Sequence, residues 1–122
     1  DTIRALADRG GVMCIAAFPR MLEPEATLDT VFEHIDYLAQ MVGVDHVGIG
    51  LDFSEGWADS PIHRKKLLAI DGRIYDYPEG ISSVTQVPNI TRGLVARGYK
   101  DQDIQCILGG NLLRVFDQVM CQ

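Results

Sequence analysis

The chain has 122 residues, 47% hydrophobic and 23% charged. This is an ordinary globular mix, long enough for one domain but short of the ~250 residues of a complete β/α barrel. Its net charge of −6 and pI near 4.8 argue against nucleic acid or an anionic membrane as a partner, since both carry the same sign.

No apolar run approaches the ~20 residues of a membrane span. The three cysteines, Cys14, Cys106 and Cys121, are widely separated and form no Cys-x-x-Cys pair. They read as small buried side chains in a reducing compartment rather than as a zinc ribbon or a redox motif.

Taken in order, Thr2 to Arg9 reads as the end of a helix, with Ile3 and Leu6 on one stripe and Gly10-Gly11 as its stop. Val12 to Phe18 is a continuous apolar run of strand length, as in a parallel sheet covered on both faces, and Pro19 ends it. Residues 20 to 26 form a loop. Thr27 to Val42 is the clearest helix, with Leu28, Val31, Phe32, Ile35, Leu38, Ala39 and Val42 on helical spacing. Thr30 with Glu33 fits a capping box, Thr27 is a second candidate cap, and Gly43 closes the helix. His34 and Asp36 invite a metal reading. Two positions apart on a helix, however, they point ~200° away from each other, so His34 reads as a partly exposed or hydrogen-bonded histidine.

The stretch Asp45-His46-Val47-Gly48-Ile49-Gly50-Leu51-Asp52-Phe53 is the most informative. Val47, Ile49 and Leu51 alternate with glycines, the period of a strand whose glycine face allows close approach of a neighbour. We place this second strand at Val47–Asp52. His46 precedes its body, at the end of a barrel that serves stability. Asp52 stands where the strand stops. It is either a turn cap or, if the strands belong to a β/α barrel, a ligand-facing carboxylate at the mouth, where polar residues at strand C-termini line active sites. Phe18 falls on the same edge.

Beyond Phe53 the pattern becomes irregular. Residues 54–81 form an extended loop holding Gly56, Trp57, Pro61, Gly72, Tyr75, Tyr77, Pro78 and Gly80, with a short helix at His63 to Leu68 inside it. Loops of this length usually carry function or form a lid. Arg64-Lys65-Lys66 is either a solvated turn or a patch for a substrate carboxylate. His63, with no second ligand at metal spacing, is a poor metal candidate. Pro88 opens another helix in which Ile90, Leu94 and Val95 face inward and Gly98 is the stop. Lys100 or Asp101 starts the next, with Asp101 the better cap. Gly109-Gly110 interrupts it, and Asn111 re-caps a last segment with Leu112, Leu113, Val115, Phe116 and Val119 as its apolar residues. The order strand, helix, strand describes a right-handed βαβ unit, part of an α/β fold, since two strands cannot close a sheet.

Several ordered motifs resemble the membrane (renal) dipeptidase family of zinc metallopeptidases. They are His34-Ile35-Asp36, then Val42-Gly43-Val44-Asp45-His46-Val47-Gly48-Ile49-Gly50 with Asp52-Phe53, then Pro88-Asn89-Ile90-Thr91, Arg97-Gly98-Tyr99 and Ile107-Leu108-Gly109-Gly110-Asn111-Leu112-Leu113-Arg114-Val115. The opening Asp1 to Met13 looks like the preceding helix and strand. The segment 54–81, closing on Pro78-Glu79-Gly80, resembles a bacterial branch with an extended loop after the last strand.

The resemblance implies that residues 1–122 are an incomplete single domain. They would form the C-terminal portion of a metal-dependent-hydrolase-type (β/α)₈ barrel, about its last two β/α units plus the closing helices. It implies hydrolysis of dipeptides, including some D-residue and dehydro-dipeptides, by a metal-activated water at two zinc ions. The ligands of those ions, a His-x-Asp pair, a glutamate and two histidines, would all lie upstream of residue 1. One family position maps onto this chain. Asp52 matches the aspartate that binds substrate and helps position the attacking hydroxide, so it is the expected catalytic and substrate-binding residue; Phe18 is an expected pocket wall. Departures from the family are Ser54-Glu55-Gly56, Leu51 and Lys100. The expectation is that this chain alone binds zinc weakly and hydrolyses nothing, and that it needs the missing barrel part or an oligomeric partner. A catalytically inactive remnant serving as a binding module, and an amidohydrolase acting on a cyclic amide, are the alternatives.

Overall fold

The computed structural model describes residues 2–22, 25–53, 56, 60–72 and 76–120. Trp57, Tyr75 and Cys121, singled out above, lie outside the described residues. The elements are α1 (Thr2–Ala7), β1 (Met13–Ile15), α2 (Leu28–Val42), β2 (Val47–Ile49), α3 (Pro61–Asp71), α4 (Pro88–Ala96), α5 (Asp101–Gln105) and α6 (Asn111–Met120). Strands β1 and β2 pair in parallel with α2 as their connection, in the register Met13↔Val47, Cys14↔Gly48 and Ile15↔Ile49. This is the helix-rich α/β architecture expected of the C-terminal portion of a β/α barrel.

The regular strands are shorter than the runs Val12–Phe18 and Val47–Asp52, but their pairing continues. The Gly50 amide donates to the Ile15 carbonyl at 3.0 Å and the Ala17 amide to the Leu51 carbonyl at 3.1 Å. The last of these bonds brings Phe18 and Asp52, the next residue along each segment, to one edge. The glycines of β2 have the cause that their alternation suggests. A Cβ on Gly48 would lie 2.9 Å from Cys14 Sγ and 3.0 Å from Val12 Cγ1, and one on Gly50 would lie 3.0 Å from Cys14 Cβ. A side chain at either position would crowd Cys14, and at Gly48 Val12 as well.

Helix α2 buries Val31, Phe32, Ile35 and Leu38, the stripe set by its helical spacing. Its cap is Thr27 rather than Thr30. Thr27 Oγ1 accepts the Thr30 amide at 3.1 Å, while the Thr30 hydroxyl donates to the Glu25 carbonyl at 2.7 Å. The core joins that stripe to Ile15, Ala17, Val47 and Leu51 from the strand region, and to Leu22, Ile81, Ile90, Leu94, Ile104 and Ile107.

Helix α4 confirms Ile90 and Leu94 as core but leaves Val95 58% exposed. Val95 is one residue, about 100° of arc, beyond Leu94 and leaves the apolar face. Gly98, with φ +82, ends the turn after α4, and the Tyr99 amide donates to the Leu94 carbonyl at 3.1 Å. Lys100, not Asp101, holds the cap position of α5 and makes no side-chain capping bond; Asp101 instead lies in the first turn, where its charge favours the helix dipole. A wide turn over Cys106–Gly110 carries Gly109 with non-helical backbone angles and separates α5 from α6.

Asn111 does not cap α6. Its side chain is buried, with Nδ2 donating to the carbonyls of Val44 and Val47 at 2.8 Å each. Arg114 donates to the carbonyls of Gly10 and Asp45 at 2.9 Å each, and His46 Nδ1 donates to the Gly11 carbonyl at 2.8 Å. The N-terminal edge of the strand pair is thus held by three side chains. On α6 itself, Leu113, Phe116, Val119 and Met120 stay exposed. No helix among the described residues is long and apolar enough to cross a membrane.

Candidate functional site

The opposite edge, at the strand C-termini, carries Asp52. Its side chain is exposed, and it is the one non-glycine residue with positive φ, +58°, among the described residues. Left-handed backbone costs an ordinary residue roughly 1–2 kcal/mol, and aspartate is among the few that adopt it readily. Strain of this kind persists where the surroundings over-determine it, and it gathers at functional positions. Leu51, directly before, is buried and its carbonyl is tied to Ala17, so the chain turns out of the sheet at Asp52 itself.

Three aromatic rings surround this turn. The Tyr77 ring meets the edge of Phe18 at a centroid separation of 6.2 Å and an angle of 71°, and lies tilted to Phe53 at 5.6 Å and 57°. Both geometries suit ring quadrupoles. The Tyr77 hydroxyl donates to the backbone carbonyl of Asp52. Phe18, expected as a pocket wall, is half-buried against Tyr77 and stands beside Asp52 on the same edge. Tyr77 is the residue that sequence reading left unassigned. Its one signal was an aromatic placed directly before Pro78-Glu79-Gly80.

The long segment carries more helix than the short one expected. Helix α3 runs from Pro61 to Asp71, longer than His63 to Leu68, with proline in its first turn and Gly72 in left-handed conformation at its end. Its low apolar periodicity hides that length. Ile62, Leu68 and Ile70 are exposed, and so are Arg64, Lys65 and Lys66. The segment returns to the core through a turn in which the Ile81 amide donates to the Pro78 carbonyl at 3.0 Å, with Gly80 at φ +84. That backbone favours glycine at the third turn position.

The histidines are dispersed. His46 is at the N-terminal edge, and His34 lines an open apolar depression of about 400 Å³ with Met13, Cys14 and Ile15. His63 is half-buried on α3. Asp36 faces away from His34. It accepts Arg97 Nη1 at 2.6 Å and the Tyr99 hydroxyl at 2.7 Å, while Arg97 stacks over the Phe32 ring at 5.1 Å. Burial, and then the hydrogen bond to Asp36, push the Tyr99 phenol well above its usual range. Burial likewise raises the Cys14 thiol. Among the described residues no three His, Cys, Asp or Glu side chains converge as a metal site. The described donors therefore do not fit a hydrolytic metal centre.

The sequence model of a family described as membrane dipeptidase (peptidase family M19) matches residues 1–70 and 71–121. Among curated relatives, dipeptidase ataJ of Aspergillus terreus is 32% identical over 124 residues, covering 98% of this chain and 26% of the relative. Dipeptidase 3 of Rattus norvegicus is 29% identical over 121 residues, covering 98% of this chain and 21% of the relative. Among solved structures, an amidohydrolase from Pseudomonas aeruginosa superposes with a TM-score of 0.83 at 29% identity, covering 99% of this chain and 40% of that one. The chain thus spans about a quarter of the length of these curated relatives.

Proposed function

The chain belongs to the membrane dipeptidase family, and from that premise we propose that the protein carrying it hydrolyses the peptide bond of dipeptides, with Asp52 as the carboxylate that faces the substrate. The observation that carries this reading is the placement of Asp52. It is exposed, held in left-handed backbone and set at the C-terminal edge of parallel strands, where β/α barrels build their sites. There its carboxylate holds the ammonium group of a dipeptide and takes up a proton on one carboxylate oxygen during bond cleavage. Phe18 supplies apolar wall beside it. The two zinc ions that the family resemblance implies would be held by residues other than the described ones, among which no such site assembles.

The likeness to an amidohydrolase structure supports a second reading, cleavage of a different small amide. A panel of dipeptides and cyclic amides offered to the full-length protein separates the two. Release of free amino acids from dipeptides is the expected result. Turnover of cyclic amides alone would favour the second reading, and turnover of neither would favour a binding module.

A further inference from the structure

We propose that Tyr77 is a positioning residue for Asp52. Its hydroxyl donates to the Asp52 backbone carbonyl, across 25 positions of sequence. That bond acts on the peptide plane that follows Asp52, not on its carboxylate. It therefore fixes the direction of the Asp52 Cα–Cβ bond while leaving both carboxylate oxygens open to a ligand.

Tyr77 can do this because it is itself held. Its ring packs against Phe18, three residues beyond β1, and against Phe53, directly after Asp52. Pro78, next in the chain, is buried, and Ile81 is completely buried in the core. The turn joining them is closed by the Ile81 amide on the Pro78 carbonyl, and Asn89 Nδ2 donates to the Gly80 carbonyl at 2.8 Å, tying the turn to α4. The segment leaving β2 is thus brought back onto the residue from which it departs. A carboxylate in unfavoured backbone is held there by a phenol anchored to the opposite strand and to the core. This is the supporting shell that a functional side chain needs if its geometry is to be kept within a fraction of an ångström.

The inference rests on Asp52 facing the substrate. Its test uses the full-length protein with wild-type residues, Tyr77→Phe, Asp52→Asn and the double variant. Phenylalanine keeps the ring contacts and removes only the hydroxyl. Tyr77→Phe is expected to lower kcat/KM for a dipeptide about tenfold with an unchanged thermal midpoint. The double variant is expected to be no slower than Asp52→Asn alone, because Tyr77 acts through a carboxylate already removed. Wild-type kcat/KM in Tyr77→Phe beside an impaired Asp52→Asn would overturn the positioning role and leave the reading of Asp52 standing. Equal losses from Tyr77→Phe in both backgrounds would overturn it too, placing the phenol's action elsewhere. A lowered thermal midpoint would make the hydroxyl a support of the fold instead. Wild-type rates in Asp52→Asn would remove the underlying reading, and this inference with it.

Discussion

The buried amide of Asn111 donates to the Val47 carbonyl at 2.8 Å and so joins the first turn of α6 to the first residue of β2. The same nitrogen serves the Val44 carbonyl. Asn111→Ala strands a buried carbonyl, which costs about 1–3 kcal/mol. Urea denaturation is expected to show an unfolding free energy lowered by that amount, read as a lower midpoint at unchanged slope. An unchanged midpoint would mean that water replaces the amide.

Gly93 lies beneath the Phe32 ring, and a Cβ there would overlap three ring carbons. In an exposed helix interior, Gly→Ala stabilises by about 1 kcal/mol. Here the sign is expected to reverse, with Gly93→Ala costing about 1–3 kcal/mol through overpacking. The ring has little room to yield, since it is buried and carries Arg97 on its face. Thermal unfolding of the variant reads the sign directly.

Tyr99 predicts an alkaline limb of stability. Its phenol is raised in the folded chain, first by burial and then by the bond to Asp36. The folded form therefore stays neutral at pH values where the unfolded form ionises. The stability this contributes is fully present below the unfolded value of about 10 and is lost as pH rises through the folded value. Tyr99→Phe should flatten the fall in unfolding free energy above pH ~10, whereas an identical alkaline limb would assign the fall to other groups.

How far the fold could be read from sequence depended on the range of the interaction. The βαβ unit was legible because its signals are local. Glycine alternates with Val47, Ile49 and Leu51, an apolar stripe marks α2, and Gly43 stops it. Asn111 was misjudged because a polar residue after Gly109-Gly110 has the local signature of a cap. Its partners lie 64 and 67 positions away, a distance at which sequence pattern carries no information. Thr27 and Thr30 differ only in which hydroxyl meets the helix amide. That is settled by the Glu25 carbonyl, which takes the Thr30 proton.

At the site, the edge carrying Asp52 and Phe18 followed from where the two strands end. The support of Asp52 did not follow, because Tyr77 reaches it through an irregular segment with no periodicity to place it. The left-handed backbone at Asp52 was likewise invisible, since aspartate tolerates that conformation without requiring it.

The most direct measurement is kcat/KM for dipeptide hydrolysis by the full-length protein with Asp52→Asn. Asparagine keeps the size of the side chain and its tolerance of positive φ, and removes the charge. A carboxylate that holds the substrate ammonium and accepts a proton predicts a loss of about 10²-fold or more in a protein whose thermal midpoint is unchanged. Hydrolysis at the wild-type rate would contradict the assignment of Asp52 to the substrate.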